Sequence, residues 1–131
     1  MNIKKRNRRG AAVVEFAVCL PLIILIVFGS IEAANMLFLR QAVVQASYEG
    51  AKVAIKDDVT NADVQAAIDA VTNGRNLDNI SVTTSPSQVS DAQPGDIIQV
   101  TVSVPGDENS LIPFGPFKNK QLAADAFMVK E

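Results

Sequence analysis

The sequence predicts an α+β protein with a long amino-terminal helix that spans a membrane, a short second helix, and a small antiparallel sheet of two or three strands. Three observations carry this reading. Residues 11–31 form an apolar run of 21 residues broken only by the charge of Glu15. Residues 60–74 hold a capped, amphipathic segment. Residues 80–84 and 98–104 alternate apolar and polar side chains with the period of half-buried strands. A chain of 131 residues has room for one domain and an appendage. The expected division is a basic cytoplasmic leader (1–10), a transmembrane and extended amphipathic helix (11–56), and a small extracytoplasmic α+β domain (57–131).

Lys4, Lys5, Arg6, Arg8 and Arg9 place five positive charges in the first nine residues. The formal net charge of −2 therefore hides seven basic against fourteen acidic residues from Gly10 onward. Such an acidic body lacks the distributed basic surface that neutralises phosphates, so no nucleic-acid partner is expected. As a helix, the run of 21 residues rises roughly 30 Å, the hydrocarbon thickness of a bilayer, which makes membrane lipid the expected surroundings. Pro21 is tolerated in such a span as a kink. Orientation follows from the basic residues: five precede the span, and residues 32–51 contain only Arg40, so the amino end is expected in the cytoplasm. A removable secretory signal has similar ingredients, with Ala33 and Ala34 as small residues near a cut. A signal core of about 7 to 15 residues is shorter than this run, and Glu15 interrupts its start.

Past the bilayer, Leu37, Val44, Tyr48, Ala51 and Ile55 recur at spacings of 7, 4, 3 and 4, with Arg40, Gln41, Gln45, Glu49, Lys52 and Lys56 between them. That pattern predicts one amphipathic helix continuing to Lys56. Residues 56–60 read as a turn. Thr60 and Asp63 then supply a cap and an acidic first turn, Val64, Ala67, Ile68 and Val71 an apolar face, and Gly74 a stop. Residues 98–104 put four aliphatic side chains on one face, and the Ser- and Pro-rich residues 85–95 connect this strand to the one at 80–84. Residues 121–129 read as a third strand against the helix propensity of their alanines. Leu111, Ile112, Phe114 and Phe117, set among Pro113, Gly115 and Pro116, are expected to cover an open edge of the small core.

The chain has no His and one Cys, Cys19. This removes imidazole acid/base catalysis, Ser/His and Cys/His nucleophile pairs and Cys/His metal sites, so neither an enzyme nor a cofactor is expected. Cys19 reads as a small apolar helix residue. Asp57/Asp58 and Asp107/Glu108 lack the oxygen-ligand spacing of a calcium loop and read as solvated turns. Asn79-Ile80-Ser81 matches a glycosylation acceptor, a short pattern that a strand edge explains equally.

The junction between leader and span carries the most specific signal. Arg8-Arg9-Gly10-Ala11-Ala12-Val13-Val14-Glu15-Phe16-Ala17, then Leu20-Pro21-Leu22, Phe28-Gly29-Ser30-Ile31-Glu32 and Gln45-Ala46-Ser47-Tyr48-Glu49-Gly50-Ala51-Lys52, resembles the TadE family of minor pilins or pseudopilins of tight-adherence (Tad, Flp, type IVb) pilus systems. The resemblance implies a cut between Gly10 and Ala11 by a prepilin peptidase, and a role for Glu15 and the neighbouring aromatic Phe16 in processing or assembly. It also implies other pilin-like subunits and the inner-membrane assembly platform as partners. After such a cut, the new amine of Ala11 would lie within a helical turn of Glu15, in its own subunit or a neighbour, and could neutralise the carboxylate. A Glu15 solvated at headgroup depth is the plainer alternative. Two functions stand at this point: a pilus-assembly subunit supporting adhesion and surface colonisation, or an anchored or secreted binding module outside any pilus.

Overall fold

A computed structural model of the chain describes residues 8–112 and 119–131. Two helices and three strands follow in the order α1 (Arg8–Ala54), α2 (Asn61–Asn73), β1 (Ser81–Ser85), β2 (Ile97–Pro105) and β3 (Gln121–Val129). The α+β class and all three strands agree with the sequence reading, including β3, whose alternation overrides its alanines because it lies along a strand already formed. The sheet is antiparallel in the order β1-β2-β3, with Val82 opposite Val102 and Val102 opposite Ala124.

α1 runs unbroken for 47 residues, roughly 70 Å at about 1.5 Å per residue, and passes through Pro21 without a break in its assignment. Its two halves meet different surroundings. From Gly10 to Ile31 every side chain is exposed. From Glu32 onward one stripe is buried: Met36, Leu39, Val43, Ala46, Gly50 and Ala54, at the three- and four-residue steps of a helix face. This buried length, about 35 Å, matches the nine-residue strand β2 at about 3.3 Å per residue, so the sheet lies along the outer half of α1.

The face that packs is not the one that the spacing of large apolar residues predicts. Leu37, Val44 and Tyr48 are exposed, and of that set Ala51 is buried and Ile55 half-buried beyond the helix end. The buried face runs instead through Met36, Leu39 and Val43 and then, towards the end of the helix, through small residues that let the neighbouring backbones come close. At Gly50 a Cβ would stand 2.8 Å from Ile68 Cδ1 and 3.2 Å from Val100 Cγ1, so α2 and β2 both press on the bare Cα.

Inward from the sheet, Ile98, Val100, Val102 and Val104 of β2 are buried, the four aliphatic residues that the alternation singles out. Val64 and Ile68 of α2 complete the core, with Val71 and Ala67 half-buried beside them. The connection from β1 to β2 contributes Val89 and Ala92, through a single 3-10 turn at Val89–Asp91. Its position is held by Asn61, whose side chain accepts from Val89 N at 2.9 Å and donates to Ser87 O.

The start of α2 follows its sequence signature. The Asp63 carboxylate accepts the Thr60 backbone N–H at 2.9 Å and the Thr60 hydroxyl at 2.7 Å. These bonds, the backbone one foremost, hold the Asp63 carboxyl below the usual carboxylate range. At the far end Lys130 folds its ammonium onto Lys56 O at 2.9 Å, just past the carbonyl-rich terminus of α1, where a cation is favoured.

Two outcomes follow. Gly50→Leu should destabilise the outer domain by about 1–3 kcal/mol through overpacking, read as a lower denaturation midpoint of the detergent-solubilised chain. For Asp63 the depressed pKa fixes the sign: its contribution is full above the ordinary Asp value of about 3.9 and is lost as pH falls through the lowered one. Asp63→Asn should therefore flatten the acid side of the melting-temperature profile while leaving its shape at neutral pH intact.

Candidate functional site

Two of the three carboxylates on α1, Glu15 and Glu32, stand in contrasting settings at either end of its apolar stretch. Glu15 stands on the exposed half, and among the described residues no side chain pairs with it. Gly10, Ala11 and Phe16 share that half; all are exposed, Phe16 at 60%. A Cβ on Gly10 would meet nothing within 4 Å, so the fold places no steric demand for glycine there. Arg8 and Arg9 lie on the first turn of α1, and Lys4, Lys5 and Arg6 lie outside the described residues. The Gly10–Ala11 bond and Glu15 therefore sit on one continuous helix, a little over one turn apart, and none of the described residues covers them.

Glu32 is the opposite case: only 2% exposed, it is the first buried residue after the apolar run. Its carboxylate accepts the Ser110 hydroxyl and, at 3.2 Å, the Leu111 backbone N–H. One helical turn on, Asn35 donates to Asn109 O at 2.9 Å. These bonds tie the connection between β2 and β3 to the foot of the outer domain. Asn109 extends the tie sideways: its amide donates to Asp78 O and Pro105 O, and its side-chain oxygen accepts Asp78 N–H. Asn79, in the left-handed region at φ 55°, donates to Glu108. The glycosylation pattern thus falls on a side chain engaged in this network, immediately before β1.

An open cleft of about 500 Å³ lies beside the network, between α1 at Asn35 and Phe38 and the connections at Arg75, Asp78 and Glu108. Leu111 on its rim is 64% exposed and does not cover the core as expected of its loop; Ile112 is half-buried, and Phe114 and Phe117 lie outside the described residues. Cys19 is exposed on the apolar half of α1.

Sequence reasoning singled out Glu15 and passed over Glu32. The available signal was position: a carboxylate that ends an apolar run must find donors or water. Its donors lie 78 and 79 residues away, beyond any local pattern. Glu32→Ala should leave the Ser110 hydroxyl and Leu111 N–H without their partner and lower stability by about 1–3 kcal/mol. Amide hydrogen exchange should quicken at Leu111 more than at the β2 amides.

The comparison with known proteins falls on this same helix. No curated protein and no solved structure matches the chain. The matching family model begins at the glycine before Ala11, includes both Glu15 and Glu32, and stops two residues short of the end of α1. Over residues 10–52, about one third of its length, this chain matches the family of TadE-like proteins.

Proposed function

We propose that this chain is a minor pilin or pseudopilin-like subunit that serves assembly of a Tad (Flp, type IVb) pilus and, through it, adhesion and surface colonisation. The TadE-like segment suggests involvement with Tad pilus systems. The observation that carries the reading is the bare half of α1: a helix long and apolar enough to cross a membrane, uncovered by the chain's own outer domain, with one carboxylate near its start. In this reading the helix spans the inner membrane once, with the basic leader in the cytoplasm and the outer domain on the far side. The role is structural, with no catalytic step of its own.

Glu15 supplies the physical logic. An isolated carboxylate at the centre of a bilayer costs about 2.5–3.5 kcal/mol on insertion scales and less towards an end, and it is tolerated best opposite a cation. Prepilin peptidase, cutting between Gly10 and Ala11, would create such a cation as the new amine of Ala11. Pairing that amine with Glu15 of a neighbouring pilin-like subunit would set the axial offset between packed helices. Gly10 fits the same account: glycine without a steric reason in the fold is explained by a protease that needs close approach to the backbone.

Mass spectrometry of the mature amino terminus in the native host tests processing. A start at Ala11 is expected; an intact Met1 would remove the processing claim, and a start near Asn35 would indicate ordinary secretion. Glu15→Ala should insert into the membrane at least as well as the parent chain and should impair leader removal or pilus formation. Normal processing together with normal pili in that variant would take Glu15 out of the mechanism.

A further inference from the structure

We infer that two copies of this chain pair in parallel along the exposed strip of α1 outside the membrane, with Leu37, Val44 and Tyr48 of one copy packed on the same residues of the other. The inference rests on the reading that α1 spans a membrane, and it extends the helix packing proposed for Glu15. Leu37, Val44 and Tyr48 remain 58%, 49% and 54% exposed after the outer domain has packed on α1. If residues 11–31 fill the hydrocarbon layer, Val44 and Tyr48 lie about 20 and 26 Å past its outer boundary. The interfacial zone extends only about 5–8 Å, and a helix tilt of about 40° still leaves Val44 roughly 15 Å out. Lipid does not reach these side chains.

The direction of the strip names its occupant. Counted at about 100° per residue, Ile26, Ala33, Leu37, Val44 and Tyr48 all fall within about 60° of Glu15 round the helix. The stripe that holds the outer domain, Met36 to Ala54, is centred roughly 90° to the other side of Glu15. A helix seated on the Glu15 face within the membrane therefore continues onto the strip outside it, clear of the outer domain. Chains inserted in one membrane with one orientation run parallel, so a second copy presents the same residues at the same heights. The strip suits its own image. Leu37 meets Leu37 and Val44 meets Val44, while the exposed Gln41 between them carries a donor and an acceptor in one amide and can bond its counterpart. Arg40 and Gln45 flank the strip, each about 70° from its midline, so two-fold symmetry sets Arg40 of one copy against Gln45 of the other rather than against its own counterpart. Gln45 accepts Arg75 at 3.1 Å, and Glu49 and Lys52 lie 4.0 Å apart beyond Tyr48. Three basic groups and one acidic group thus border the seam, so charge attraction does not hold it and the contact is apolar.

Cys19 is the chain's one cysteine, so Cys19→Ala gives a background in which an added thiol stands alone. In that background the full chain bearing Val44→Cys or Thr83→Cys is reconstituted in phosphatidylcholine vesicles and oxidised with copper phenanthroline. Thr83, exposed on the edge strand β1, is the control for chance collision. Val44→Cys should form a disulfide-linked dimer at least tenfold faster than Thr83→Cys. Adding Gln41→Lys, which sets two ammonium groups opposite each other beside Arg40, should slow that reaction several-fold; an unchanged rate means no packed seam and overturns the pair. Equal rates at positions 44 and 83 overturn it as well. If Val44→Cys stays unlinked while the chain resists a carbonate wash, the pair is overturned, the span and the pilus role stand, and the strip belongs to a different subunit. If carbonate strips the chain from the vesicles, the span itself fails and takes the inference with it.

Discussion

The controlling constraint is that one uninterrupted helix serves two surroundings, with the change falling at Glu32. Inside a bilayer every backbone N–H and C=O must be satisfied locally, which leaves a helix no freedom to stop or turn. α1, whose residues 10–31 are bare and part of a helix long and apolar enough to cross a bilayer, runs on for 23 further residues as the wall of the outer core. Nothing resembling a linker intervenes: Ile31 is exposed, Glu32 is 2% exposed, and the buried stripe is under way by Met36. The outer domain is thus built on the helix rather than tethered to it. A core this small depends on that wall, since Ile98, Val100, Val102 and Val104 would otherwise face water.

Legibility in the sequence followed the range of the interactions involved. The start of α2 was readable because Thr60 and Asp63 cap it within four residues, and β2 because its alternation is a property of nine consecutive positions. The existence of a helix beyond the span was equally local. Its packing face was not. Leu37, Val44 and Tyr48 repeat at helical spacing yet are exposed, while the buried face runs through Met36, Leu39, Val43, Ala46, Gly50 and Ala54, where α2 and β2 close on Gly50. The Glu32 network was hidden for a different reason: its bonds cross 78 and 79 residues, and no local pattern encodes them.

The candidate processing site was legible in a further sense, through what it lacks. Burial, a tight crossing or a positive φ would give Gly10 and Glu15 a reason inside the fold. Gly10 has open space around it, and Glu15 has no partner among the described residues. Gly50, on the same helix, has such a reason in Ile68 and Val100, and Glu32 has one in Ser110 and Leu111. Of the three glycines and three glutamates on α1, Gly50 and Glu32 are thus accounted for by the packing of the chain, whereas Gly10 and Gly29 meet open space and Glu15 meets no partner among the described residues. The proposed processing and subunit packing would give Gly10 and Glu15 the partners that the described residues do not supply.

This division also explains why the family match stops where it does. Residues 10–52 are almost the whole of α1, and the match takes in none of α2 or the sheet. In the proposed role, a rod that had to satisfy a lipid bilayer, a protease and neighbouring helices at once would have its residues prescribed from several sides. The outer domain answers mainly to its own packing, in which any well-fitting set of aliphatic side chains serves. Because α1 runs without a break, an axial offset set by Glu15 in the proposed assembly would carry through to the outer domain, each residue of offset moving that domain by about 1.5 Å along the helix axis. In that assembly a carboxylate near one end of the span would fix the height of a protein surface beyond the other.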